Sequence, residues 1–265
     1  MIVHVGSADD ARIGDYARVG DPAWLESSGL FVAEGRLLVE RLIASGRFPI
    51  HSIVLTPTAL AGFGGALDIA EPVYVAEPAV LAQITGIRFH RGCLALARRE
   101  VVVPAETFEQ ARVLLALEGV GNPDNLGGLF RVAAAFGVDG LLLDPATGDP
   151  FYRKAVRTSM GAVLTLPFAR VSPWPAVLDS WKARGFRVVA LTPRADARPL
   201  SDVAREPRVP RIVLVGSEGP GLSEAAMQTA DVLVRIPTSA QVDSLNVAVA
   251  AGIALERLES LIPDP

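Results

Sequence analysis

The chain has 265 residues, half of them hydrophobic, with 25 Lys and Arg against 29 Asp and Glu and a net charge of −4, which is enough length and apolar content for one large or two ordinary domains with real cores. No apolar stretch reaches the roughly 20 residues that cross a bilayer, and the amino terminus MIVHVGSADD has no basic n-region, so a cytoplasmic protein without a membrane partner is expected. The single cysteine, Cys93, excludes an internal disulfide and a clustered-cysteine zinc site, and His4, His51 and His90 are too scattered to predict a metal; the acidic balance disfavours nucleic acid only weakly, because a local basic patch suffices.

Residues 1–105 read as a small α/β domain. A short helix is expected within 9–19 and a strand over 30–33. After Gly35 comes an amphipathic helix with Leu37, Leu38, Leu42 and Ile43 as its core stripe. Strands follow at 52–55, 73–75 and 94–97, with a helix near 78–84. The loop residues Arg88, His90 and Arg91 and the pair Arg98 and Arg99 are candidates for contact with RNA phosphates, or equally an ordinary solvated surface. Pro104 interrupts the pattern, which places the domain boundary after residue 105.

In residues 106–265 a strand over 113–117 runs into GVGNPDNLGG. Gly119 and Gly121 suggest a dinucleotide fingerprint, but its third glycine would fall at Asp124, so a nicotinamide cofactor is not expected. Asn122, Pro123, Asp124 and Asn125 instead have the chemistry of a helix start. At 100° per residue, Leu126, Leu129, Phe130, Ala133 and Phe136 share one face of that helix, and Gly127, Gly128, Ala134, Ala135 and Arg131 the other. Such a small-residue face admits another backbone or a ligand, and Arg131 on it either reaches a negative charge or is solvated. A strand over 140–143 precedes DPFYRKAVRTSM (149–160), where Arg153, Lys154 and Arg157 lie beside two aromatics. That mixture suits phosphate and base contact, although a solvated helix face accounts for it too.

A helix near 174–183, a strand over 188–191 and a Pro-rich charged loop up to residue 210 come next. The strand over 212–216 ends in SEGPGLS, a glycine-rich turn of the kind that lets backbone groups touch a ligand at the carboxyl end of a parallel strand. Glu218 is the acid beside those glycines. The last strand, 232–236, leads through a polar turn into a helix that is wholly apolar from 247 to 255 and is expected to be buried all round. Ser244 and Asn246 stand at its entrance, either as polar groups offered to a ligand or with Ser244 as a plain N-cap.

Three segments, EGVGNPDNLGGLFRVAAAFGVDGLLL (118–143), IVLVGSEGPGLS (212–223) and RIPTSAQVDSLNVAVAAGIALE (235–256), resemble in order and spacing the three motifs of the SpoU family of the SPOUT superfamily. The resemblance implies an α/β fold in which a parallel-sheet SPOUT domain (106–265) ends in a deep trefoil knot. It further implies that the first domain (1–105) is a small α/β RNA-binding domain similar to certain ribosomal proteins, which FVAEGRLLVERLIASG and ITGIRFHRGCLALARR also resemble. The activity implied is methylation of a ribose 2′-hydroxyl in rRNA or tRNA, rRNA being favoured, by a homodimer that binds S-adenosylmethionine in the knot. Carried over residue by residue, the catalytic positions are Asn125, Arg131, Glu218, Ser244 and Asn246, and main-chain cofactor contacts fall at Gly216, Ile236 and Leu245. The RNA-contact candidates remain His90, Arg91, Arg153, Lys154 and Arg157.

Three positions depart from the family pattern: Thr238 where Met is usual, Ala240 where Gly is usual, and Asn122 where Asp is frequent. They bear on cofactor affinity more than on chemistry. Deprotonating a free guanidinium at neutral pH costs about 9 kcal/mol, so Arg131 is expected to stabilise an alkoxide or pin a phosphate. Two alternatives stay open, a non-catalytic RNA-binding protein that kept the fold and a SPOUT enzyme that methylates a base.

Overall fold

The computed structural model describes residues 2–64, 67, 69–86, 92–99, 103–239 and 244–259. His90 and Arg91, together with Arg88 and Ala240, lie outside the described residues. In chain order the elements are β1 (Ile2–His4), α1 (Pro22–Ser27), β2 (Leu30–Glu34), α2 (Arg36–Ser45), β3 (Ile50–Leu55), α3 (Pro57–Gly62), β4 (Val73–Val75), α4 (Pro78–Thr85) and β5 (Cys93–Arg98). They continue with β6 (Val113–Glu118), α5 (Pro123–Ala135), β7 (Gly140–Leu143), α6 (Arg153–Thr158), α7 (Ala162–Thr165), β8 (Phe168–Arg170), α8 (Val177–Ala183) and β9 (Arg187–Leu191). The last are β10 (Arg198–Pro199), α9 (Leu200–Val203), β11 (Arg211–Gly216), α10 (Glu224–Thr229), β12 (Val232–Arg235) and α11 (Val247–Glu259). Among the described residues no helix is long and apolar enough to cross a membrane.

Two compact units result, Met1–Val101 with Phe151–Thr165, and Val102–Pro150 with Leu166–Pro265. The boundary expected after residue 105 is therefore crossed a second time, because the chain returns to the first unit at 151–165. Aromatic packing and charge explain the return. Phe151 stacks on Phe31 with ring centroids 4.9 Å apart and meets Phe48 edge-on at 5.6 Å. Arg153 donates twice to Glu34 Oε2, at 3.1 and 2.8 Å, and Arg47 donates to the Thr165 carbonyl at 2.8 Å.

The first unit carries a five-stranded sheet in the order β1-β4-β3-β5-β2. Its β1, β4 and β3 run parallel, while β5 pairs antiparallel with both β3 and β2. In α2 the buried stripe is Leu38, Val39 and Leu42, so Leu38 and Leu42 are buried as expected, Val39 replaces Leu37, and Ile43 is only partly buried. Leu37 lies 100° off that stripe and is exposed. Cys93 is buried in β5 as a small apolar residue.

The second unit is organised on a seven-stranded sheet, β10-β12-β9-β11-β6-β7-β8, every pair of which is parallel. Its central strands, β6 VLLALE and β11 RIVLVG, are nearly continuous apolar runs because both faces of a parallel sheet are covered. The small face expected on α5 packs against α11: a Cβ on Gly128 would lie 3.1 Å from Ala248 Cβ, and one on Gly252 would lie 3.5 Å from Val132. All-round burial of α11 is not observed, since Val249 is 51% exposed. Among the described residues the helix packs against α5, β11 and α9, and these leave Val249 exposed. The charged loop before residue 210 contains β10 and α9, whose few residues carry no readable period.

Candidate active site

The carboxyl ends of β9, β11 and β12 enclose a cavity of about 540 Å³ with the entrance to α11. Its walls include Thr192, Gly216, Glu218, Ile236, Ser244, Leu245 and Asn246. Three residues expected to hold a cofactor, Gly216, Ile236 and Leu245, and three expected to be catalytic, Glu218, Ser244 and Asn246, thus meet at one place. Glu218 and Arg235 are the ionisable residues among those lining it.

The wall after β11 is a tight glycine turn. Gly221 N–H donates to the Ser217 carbonyl at 3.1 Å, and Gly219 and Gly221 have φ of +84° and +72°, values at which a side chain is strained. At Gly216 the backbone of the turn comes so close that a Cβ would lie 2.3 Å from the Gly221 carbonyl carbon. Glycine there is a packing requirement.

Asn246 joins this wall to α5. Its Nδ2 donates to Asn125 Oδ1 at 2.8 Å and to Glu218 Oε1 at 3.0 Å. Its Oδ1 accepts the main-chain N–H of Ala248 at 3.0 Å and of Val249 at 3.4 Å. Asn246, not Ser244, is therefore the cap of α11, because only its amide can bond the helix N–H groups and two acceptors at once. With both hydrogens and its oxygen engaged, Asn246 orients its neighbours and has little capacity left for a substrate. Asn125 is only 6% exposed, in the first turn of α5, where Asn122 Oδ1 caps the helix by accepting Asp124 N–H at 2.9 Å.

Arg131 is not brought to this cluster. It is exposed, does not line the cavity, and lies six residues after Asn125 on the same helix. Six residues are about 9 Å of rise and about 240° of rotation, which directs its side chain well away from Asn125. The basic cluster of 151–165 belongs to the first unit. There Arg153 is paired with Glu34, while Lys154 and Arg157 are partly exposed on α6.

Two supporting networks were not readable from sequence. Asp144, after β7, accepts Gly119 N–H at 3.1 Å, Thr147 N–H at 2.7 Å and the Thr147 hydroxyl at 2.6 Å. Arg170 donates to the carbonyls of Asp144, Thr147 and Gly148, which fixes the loop after β7, and that loop in turn bonds Gly119 and Val120 ahead of α5. Glu118, the last residue of β6, accepts hydrogen bonds from Ser223 and Trp174. Apart from the local Asp144–Thr147 bonds, their partners lie tens of residues away, so no local pattern announces them.

Residues 112–256 match the model of the SpoU rRNA Methylase family. An uncharacterized tRNA/rRNA methyltransferase from Mycobacterium bovis is 41% identical over 263 residues, covering 95% of this chain and 90% of that protein. The AdoMet-bound rRNA methyltransferase from Sinorhizobium meliloti has the same fold, with a TM-score of 0.84 at 27% identity over 99% of each chain. A second solved structure, an RNA 2′-O ribose methyltransferase, gives a TM-score of 0.77 at 27% identity over 97% of this chain and 98% of that one. The family match takes in more than half of the chain and every residue of the Asn125, Glu218 and Asn246 cluster, and the protein belongs to the SpoU rRNA methylase family.

Proposed function

We propose that the protein transfers a methyl group from S-adenosylmethionine to a ribose 2′-hydroxyl of RNA, ribosomal RNA before transfer RNA. The observation that carries this reading is the Asn125–Asn246–Glu218 cluster at the wall of the cavity. A cavity of about 540 Å³ falls within the range of small-molecule sites. Gly216, Ile236 and Leu245 line the cavity, where their main-chain groups would contact the nucleoside, and Glu218 offers a negative neighbour for a sulfonium. When bound, S-adenosylmethionine supplies an electrophilic methyl group on a positively charged sulfur.

The chain's own residues orient the acceptor. Glu218, held by Asn246, and the Ser244 hydroxyl present acceptor groups to a ribose hydroxyl, and Asn125 fixes the amide that aligns them. Arg131 stabilises the alkoxide or pins the neighbouring phosphate, and it does so in a second copy of the chain. An exposed arginine turned away from its own cavity, on a helix whose neighbour α11 exposes Val249, fits a homodimer through that face. The polar turn before α11 closes a deep trefoil knot in this reading. The first unit binds the RNA, with Lys154, Arg157, His90 and Arg91 contacting phosphates and Arg153 holding 151–165 in place through Glu34. The site of action is the cytoplasm.

The test is calorimetric titration with S-adenosylmethionine, followed by transfer of tritiated methyl to unmodified rRNA and tRNA transcripts. Micromolar binding that Asn246→Ala weakens, and a product resistant to alkaline cleavage at one nucleotide, are expected. Thr238, which lines the cavity where the family usually has Met, favours one competing reading, an RNA-binding protein without catalysis. Absence of cofactor binding would select it, and label on a base would select a base methyltransferase.

A further inference from the structure

Glu118 is not among the residues lining the cavity, yet it grips the loop that forms one wall at both ends. Its main chain is the register partner of Gly216 on the neighbouring strand, where the loop begins. Its side chain holds Ser223, where the loop ends and α10 starts: Oε2 accepts the Ser223 main-chain N–H at 2.8 Å and Oε1 accepts the Ser223 hydroxyl at 2.8 Å. A third donor, the Trp174 indole Nε1–H, also reaches Oε1 at 2.8 Å. Between these two anchors runs the glycine turn with Glu218, the residue that receives the Asn246 amide. Ser223 is in turn the cap of α10, accepting Ala226 N–H at 3.1 Å.

We propose that Glu118 is a positioning residue for the cofactor cavity: its carboxylate holds the glycine-rich loop in the shape that admits S-adenosylmethionine. The proposal rests on the cofactor assignment made above. A loop with two free glycines at positive φ has many conformations, and fixing its far end removes most of them before any ligand arrives.

The hydrogen-bond pattern demands a carboxylate. Ser223 N–H and Trp174 Nε1–H can only donate, whereas the Ser223 hydroxyl can donate or accept. Both oxygens of Glu118 must therefore accept. Glutamine in either amide orientation turns its NH2 against one of the two obligate donors and takes away that donor's acceptor on the loop. Removing the indole N–H with Trp174→Phe abolishes the conflict, because the glutamine oxygen then takes Ser223 N–H while its NH2 donates to the Ser223 hydroxyl. A defect of Glu118→Gln that Trp174→Phe relieves is specific to this pattern, and a residue that only fills space would show no relief.

The experiment is titration of the full-length wild type, Glu118→Gln, Trp174→Phe and the double variant with S-adenosylmethionine, at a temperature where circular dichroism shows all four folded. Glu118→Gln is expected to weaken binding about tenfold, the size of one lost hydrogen bond, and the double variant to return to within about threefold of Trp174→Phe alone. Binding by Glu118→Gln equal to wild type, or losses that simply add in the double variant, would overturn the proposal while leaving the cofactor assignment intact. A wild-type protein that binds no S-adenosylmethionine would overturn the assignment and the proposal together.

Discussion

Replacing Gly216 by alanine puts a methyl group where the structure has only backbone. The new Cβ would lie 2.3 Å from the Gly221 carbonyl carbon and 2.4 Å from both Gly221 O and Leu222 N. No side chain can rotate out of the way, so the turn must move by about 1 Å to restore van der Waals distance. Overpacking of this kind costs about 1–3 kcal/mol. The same movement shifts Glu218, and the 3.0 Å hydrogen bond from Asn246 is lost with it. Urea denaturation is expected to show the stability loss at unchanged slope, and calorimetry a fall in S-adenosylmethionine affinity of at least about tenfold. Gly121→Ala is the control, since a Cβ there meets nothing within 4 Å. Wild-type stability and affinity in Gly216→Ala would refute the claim that the close approach of Gly216 to Gly221 shapes the cavity.

Asn246→Asp keeps the cap of α11 but sets two carboxylates about 3 Å apart, a repulsion of about 1 kcal/mol at water-like screening. Cofactor binding should fall more than stability, whereas Asn246→Ala should lose both, with about 1 kcal/mol from the cap and a further ~1–3 kcal/mol from the unsatisfied Asn125. If Arg131 serves a second copy, mixing inactive Arg131→Ala with inactive Asn246→Ala protein should restore part of the methylation; no recovery after subunit exchange would count against the shared site. Burial pushes the Cys93 thiol up to about 11 from its ordinary value of 9.0, so the native protein should resist iodoacetamide at a pH near 8 and react once unfolded. The sign follows from linkage: both states hold the proton below about 9, and above it the unfolded chain ionises first, so stability falls between 9.0 and about 11. Cys93→Ala should lose less stability over that interval.

Much of the second unit was legible because its strands are buried on both faces and its first helix begins with a recognisable cap. β6, β7, β9, β11 and β12 fall where apolar runs predict them, and α5 starts at the Asn122 cap that its sequence announces. Short elements escaped for the opposite reason: Phe168–Arg170 and Arg198–Pro199 are too brief for any period to show. The return of 151–165 to the first unit was hidden because Phe151 finds its partners at Phe31 and Phe48, more than a hundred residues earlier. The cap of α11 was ambiguous because two good capping residues, Ser244 and Asn246, stand two positions apart, and only the three-dimensional position of Asn125 and Glu218 decides between them.

The distribution of what could and could not be read has a physical cause. Periodicity reports which face of an element is dry, and it does so one element at a time. A site at the ends of parallel strands is assembled from loops, each contributing one or two polar groups whose partners come from other loops. Asn125 follows β6, Glu218 follows β11 and Asn246 follows β12, and the sheet order brings those three ends together although the residues span more than a hundred positions. α11 shows the same limit from its apolar side. Its sequence reports that water is unfavourable around the whole helix, but not which surface excludes it, and α5 and β11 leave Val249 uncovered. The residues that complete the helix's burial need not lie in the same chain, and the second copy proposed above would account for the exposed Val249 and the outward-turned Arg131 together.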